Sequence, residues 1–173
     1  MGTLESYQAC FDVKYYEDYA VIGYVLFKDH KSDVAFKTGQ FRHEKIEPYI
    51  PGEFYKRELP CLLTAIKQIE ENINLVFIDA NVWLGDNLMG LGCYLYEALE
   101  FKIPVIGISK TFFHNAEQKV LPVLRANSTK PLFVSSIGLD IKIASKIVLE
   151  MHGVFRLPTM VKLADTMSRK QFS

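Results

Sequence analysis

Apolar residues recur at every second position through Tyr7, Ala9, Phe11 and Val13, the period of a strand with one buried face. Residues 19–27 and 34–40 read as second and third strands, joined by the polar loop Asp29-His30-Lys31-Ser32-Asp33. Short connections make these three an antiparallel meander. The period then changes. Phe54, Leu59, Cys61, Leu62, Ala65, Ile66 and Ile69 fall on one broad arc at roughly 100° per residue, the signature of an amphipathic helix. Glu53, Lys56, Arg57, Lys67 and Glu71 fall on the opposite side. Before this helix, Pro48 and Pro51 fix their own φ and extend the residues ahead of them. Tyr49 and Ile50 therefore stand on a stiff apolar spur that Gly52 releases into the helix.

Further along, residues 75–79 form a short continuous apolar run, as expected of a central parallel strand. Residues 88–101 suit a helix with Leu88, Leu91, Leu95, Ala98 and Leu99 inward. Residues 105–108 read as another buried strand, and 119–126 and 131–135 as strands around a turn at Ser128-Thr129-Lys130. A helix follows over 141–151, with Asp140 as N-cap and Gly153 beyond its end. A last helix opens at Pro158 or Thr159 and runs to Lys170. The whole order describes an α/β domain spanning residues 1–173: a central mixed sheet, an antiparallel meander followed by parallel strands, flanked by helices.

Composition narrows the function classes. At 173 residues, 49% hydrophobic and 23% charged, the chain is an ordinary globular domain with enough residues for a full core. No apolar run reaches membrane-spanning length and no secretory signal opens the chain. A cytoplasmic protein is expected, and a monomer. Cys10, Cys61 and Cys93 are odd in number, widely spaced and in apolar contexts, which suits reduced buried thiols. The four histidines are scattered, with no zinc-ligand spacing. Net charge is zero but unevenly spread: residues 1–101 hold 9 Lys and Arg against 16 Asp and Glu, and residues 102–173 hold 11 against 4. A basic half beside an acidic half suits a phosphate-tracking surface next to a metal site; solvated faces that happen to differ give the same count.

Three carboxylates break the apolar pattern. Glu58 lies inside the helical arc, four residues after Phe54 and four before Leu62. Asp12 interrupts Ala9-Cys10-Phe11-Asp12-Val13, and Asp79 ends Leu75-Val76-Phe77-Ile78-Asp79. A carboxylate facing a core needs a cation, a proton or a partner. For Glu58 alone, pairing with a Lys or Arg at the core's edge is sufficient. Taken together, the three suit a hard divalent cation.

These segments carry a resemblance. Asp12-Val13, Pro48-Tyr49-Ile50-Pro51-Gly52 with Arg57-Glu58, Phe77-Ile78-Asp79, Ile106-Gly107-Ile108-Ser109-Lys110 and Phe155-Arg156-Leu157-Pro158 follow the order and rough spacing of the endonuclease V family. The likeness spans about residues 8 to 170 and implies a ribonuclease H-like fold. It also implies a metal-dependent endonuclease that nicks DNA or RNA near inosine, a deaminated adenine, in DNA repair. By that resemblance Asp12, Glu58 and Asp79 hold magnesium or manganese, and Lys110 neutralises the phosphate or orients water; as a bare residue, Lys110 reads equally as an exposed loop lysine. Pro48, Tyr49, Ile50 and Pro51 become a wedge that parts the bases, where alone they read as a hydrophobic contact for some partner. Gly52, Ala80, Gly85 and Gly90 fall where the family's base pocket passes. The sequence departs from the family in three places. Ala80-Asn81-Val82 stands for Gly-His-Gly, Gly85 falls near a second histidine, and Ser136-Ile137-Gly138 stands for Gly-His-Arg. Asp140 offers a carboxylate near the last of these, or only an N-cap. The alternatives are a divergent ribonuclease H-like protein that binds nucleic acid with weak or no cleavage, and a nuclease of different substrate choice.

Overall fold

A computed structural model describes residues 2–172. The meander forms as β1 (Ser6–Tyr15), β2 (Tyr19–Phe27) and β3 (Lys37–Glu44). Then come α1 (Phe54–Gln68), β4 (Asn72–Ile78), a small hairpin of β5 (Trp83–Gly85) and β6 (Leu88–Met89), and α2 (Leu91–Ala98). After β7 (Val105–Ser109) a tight 3₁₀ segment, His114–Lys119, leads into β8 (Leu121–Val123) and β9 (Leu132–Ile137). Helices α3 (Ile141–Glu150) and α4 (Thr159–Arg169) close the chain. One seven-stranded sheet runs β3-β2-β1-β4-β7-β9-β8, with helices on both faces.

The expected mixed sheet is present: β1, β4 and β7 are parallel neighbours and the meander is antiparallel. The far side differs from a run of parallel strands, because β9 lies antiparallel to both β7 and β8. Three boundaries differ most. The third strand covers 37–44, not 34–40. It is a half-exposed edge strand whose Thr38, Gln40 and Arg42 give little hydrophobic signal, while Val34 stays in the loop and Phe36 stacks on Tyr7. The helix expected over 88–101 is confined to 91–98. Its start is held back because Gly90 N donates to Val82 O, and left-handed φ at Glu100 and Phe101 stops its end. Leu88 instead joins the hairpin, exposed, and Ala98 is exposed too. The strand expected over 119–126 is reduced to 121–123 at the sheet edge, where Pro122 lacks a donor for further pairing.

Strand alternation sorts the core into two layers. Phe11, Ile22 and Val76 pack under α1 and α2 with Leu62, Ala65 and Leu95. Cys10, Phe77 and Ile106 face the other way, onto Val148 of α3 and Met160 and Ala164 of α4. Each such large side chain contributes about 1.5–3 kcal/mol on burial. The three cysteines are buried free thiols. Helix α4 lies very close to β2 at Gly23. A Cβ there would come within 2.6 Å of Ala164 O and would collide with Ser168 N. Only glycine permits that approach, and the approach brings the C-terminal turns of α4 beside β1. Asp140 caps α3, accepting from Lys142 N at 2.8 Å and Ile143 N at 3.4 Å.

Candidate active site

The sheet register assembles the acidic cluster. Phe11 pairs with Ile78 across the parallel β1–β4 ladder, so Asp12 and Asp79, each one residue further on, stand side by side. Both share the parity of Cys10 and Phe77 and therefore face α4. Ile78 pairs in turn with Gly107 of β7, and Lys110 follows the end of that strand. Asp12, Asp79, Lys110 and Asp165 of α4 line one small cavity of about 30 Å³, with Leu157 and Val161 as its apolar wall. Asp165 is absent from the sequence reading. On the sequence it is one more charge on an amphipathic helix. Its only signal was its spacing of seven residues from Pro158 on a helix whose other face is apolar.

Glu58 approaches from the opposite face. It sits in the second turn of α1, 8% exposed, and accepts a hydrogen bond from the Tyr15 hydroxyl at 3.2 Å. The expected Lys or Arg partner is not on the carboxylate: the neighbouring Arg57 guanidinium lies over the Tyr15 ring instead, 4.1 Å from its centre. Burial pushes the Glu58 carboxyl up to about 8; the Tyr15 hydrogen bond opposes this, and the charges of Asp12 and Asp79 add to it. Asp12 is also raised, first by burial, against a 2.6 Å hydrogen bond donated by Ser168, with Asp79 and Asp165 adding repulsion. Asp79 is raised by burial, with Lys110 pulling the other way. At Asp165 burial is outweighed by Arg169 and Lys162, whose ion pairs at 2.8 and 3.1 Å hold it low.

Lys110 is fixed through its backbone. Ser109 and Thr111 close a turn around it, and Arg156 donates to Lys110 O at 2.9 Å and Pro131 O at 2.7 Å. Arg156 thus ties the β7 turn to the α3–α4 loop.

The remaining predicted residues scatter. Tyr49 and Ile50 are exposed, at 59% and 45%, on the loop before α1, flanked by Pro48 and Pro51, with Gly52 at φ 81° turning the chain. A cleft of about 170 Å³ is lined by Phe54, Tyr55, Asp79, Ala80, Asn81 and Leu84. Of the four expected pocket positions only Ala80 lines it. Gly90 packs against the Asn81 and Val82 carbonyls, and Gly85 packs against Leu88 in the hairpin. Trp83 is committed elsewhere, its indole N–H donating to Ser136 O at 3.1 Å, whereas Asn81 faces the cleft.

Among the described residues no three His, Cys, Asp or Glu side chains converge tightly enough to make a ready-formed metal cage. Magnesium does not require one, since it keeps several waters and takes one or two carboxylates. The donor set fits such a cation: carboxylate oxygens that repel one another, with no ion pair to Asp12 or Asp79 among the described residues.

An antiparallel meander followed by parallel strands in one sheet, with helices on both faces, is the ribonuclease H-like class of fold. The endonuclease V family model matches residues 3–166, and the chain belongs to that family. Curated relatives named endonuclease V include one from Bacillus thuringiensis, 27% identical over 71% of this chain and 61% of its own length. Another, from Thermosipho melanesiensis, is 28% identical over 94% and 80%. The chain thus spans less than two thirds of the first of these. Among solved structures, Ciona intestinalis endonuclease V, in complex with a 23mer DNA containing an inosine followed by a ribo-adenosine, superposes with a TM-score of 0.73. It is 20% identical, covering 94% of this chain and 83% of that one, a likeness of fold.

Proposed function

We propose that this protein is a divalent-metal-dependent endonuclease that nicks a DNA or RNA strand near inosine. The observation carrying this reading is the cavity where the strand register sets Asp12 beside Asp79, with Asp165 and Lys110 on its rim. Asp12, Asp79 and Asp165 would hold magnesium or manganese, with Glu58 behind them adding negative charge. A cation held there would supply Lewis-acid stabilisation of a phosphate oxygen and a more acidic water.

The chain's own residues do the rest. Lys110 places a positive charge where the scissile phosphate would lie, and Arg156 keeps its turn in place. The Ser168 hydroxyl occupies one Asp12 oxygen and leaves the other to the cavity. Leu157 and Val161 give the carboxylates an apolar wall on one side, which strengthens the charge interactions there. The cleft beside Asp79, with Asn81 and the Tyr55 ring, would take the extruded base. The spur of Tyr49 and Ile50 would part the bases, at a cost of a few kcal/mol for unstacking. The inosine-bearing DNA bound by the Ciona relative supports this substrate class.

The test is cleavage of matched oligonucleotides with inosine or adenine, in DNA and in RNA, with magnesium, manganese or a chelator. Metal-dependent nicking of the inosine strands is the expected result. No cleavage of any strand would sink the catalytic reading. Binding without cleavage is the second reading, favoured by the open spacing of the acidic side chains.

A further inference from the structure

Beyond Lys110 the molecule carries a second concavity, larger than the cleft on the Asp79 side. It measures about 740 Å³ and lies between the α3–α4 loop and α4. Phe155 and Val154 line it and are 77% and 74% exposed, unusual for an aromatic and a branched aliphatic side by side. Its charged lining is cationic throughout: Lys110, Arg156 and Lys162, with the titratable His152 and no carboxylate. Lys162 also pairs with Asp165.

The loop that displays Phe155 is tied down on both sides. Arg125, itself buried, donates to Met151 O at 3.0 Å and Gly153 O at 3.2 Å. Thr159 N donates to His152 O, and Arg156 reaches Pro131 O and Lys110 O. Leu157 packs against the core and Arg156 turns its guanidinium to the Lys110 and Pro131 carbonyls, while Val154 and Phe155 are exposed. Such a loop holds an aromatic face to solvent with little ordering left to lose on binding.

Order along the surface limits what can sit there. Asp79 lines both the base cleft and the acidic cavity; Lys110 lines both the acidic cavity and this groove. A strand with the recognised base in the cleft and the linkage to be cut at the cavity must continue past Lys110. We propose that the groove receives the nucleotide across the cut from the recognised base, with its base stacked on Phe155 and its phosphate near Lys162. This rests on the nuclease reading above. A cationic rim around an exposed ring fits a nucleotide, because every base offers a stacking face whatever its sequence.

The experiment combines Phe155→Ala and Phe155→Trp with oligonucleotides that carry a normal or an abasic residue at that position. Phe155→Ala should lower single-turnover cleavage or affinity about 5- to 150-fold on the normal strand. The abasic strand should cost the wild-type protein a similar factor and cost Phe155→Ala nothing more, and Phe155→Trp should restore wild-type behaviour. A second readout needs no cleavage: the fluorescent adenine analogue aminopurine, placed there and bound in chelator, should be quenched by wild type and by Phe155→Trp but not by Phe155→Ala. Since Phe155 is exposed, the fold should be unchanged, and circular dichroism checks it. Unaltered cleavage and quenching in Phe155→Ala, or additive losses, overturn the groove assignment while leaving the nuclease reading intact. Phe155-dependent quenching without any cleavage upholds the groove and removes the nuclease. No binding to any strand removes both.

Discussion

The two faces of the sheet treat their carboxylates differently. On the α4 face, Asp12, Asp79 and Asp165 meet at a cavity and have relief nearby: the Ser168 hydroxyl, Lys110, and the Lys162 and Arg169 ion pairs. On the α1 face Glu58 has one hydrogen bond, from Tyr15, and apolar surroundings. The consequence is a buried glutamic acid that holds its proton to about pH 8, beside an aspartate cluster that is less strongly perturbed. A binding cation would reverse the balance, since its charge favours the ionised form of every one of these groups. On the proposed reading, the α4 face would take a cation with its charges already partly relieved, and Glu58 on the α1 face would ionise only once that positive charge arrived.

The hardest test of the contrast removes charge from the α4 face. Asp79→Asn should reduce inosine-strand cleavage by about a thousandfold or more, because a cation held there would depend on that charge. Binding should survive, since phosphate contacts supply most affinity. Near wild-type cleavage, measured under single turnover with magnesium, would show that the metal is held elsewhere.

Glu58→Gln probes the other face through stability. The folded-state pKa of Glu58 lies near 8, above the ordinary 4.5 of the unfolded chain. Its stabilising contribution is therefore fully present below about pH 4.5, declines as pH rises, and is gone above about pH 8. In chelator, wild-type stability should fall by on the order of a few kcal/mol across that window, and Glu58→Gln should flatten the slope. Denaturant titrations at pH 5 and pH 8 measure both. An unchanged slope in the mutant would place the titrating group elsewhere.

Gly23→Ala attacks the packing that brings the α4 residues to Asp12. Overpacking against the Ala164 and Ser168 backbone should cost about 1–3 kcal/mol, visible as a lower thermal midpoint. The Ser168 hydrogen bond to Asp12 should loosen with it. The smallest effect is expected of Asp140→Ala, which loses an N-cap worth about 1 kcal/mol and leaves cleavage unchanged. A large loss of cleavage in a stably folded Asp140→Ala would make that residue part of the site.

Much of this protein is written in local pattern. Asp12, Glu58 and Asp79 were visible because each is a charge in an apolar period, and period is a property of neighbours along the chain. The meander, α1, β4, β7, α3 and α4 followed from the same signal, as did the Asp140 cap. Where the signal was weak, the boundaries moved: the polar edge strand β3, the short β8 with Pro122, and the hairpin that takes Leu88 from α2. Asp165 and Ser168 were not legible as candidate site residues, since each looks like one more polar position on an amphipathic helix until α4 docks; Arg156 stood in a segment carrying the resemblance but with no role attached to it. That docking depends on close backbone approach at Gly23 and on arginine reaching carbonyls far away in sequence. The sequence alone determined which residues would resist burial; the tertiary structure decided which would meet, because strand register and helix approach are set by contacts across the sheet.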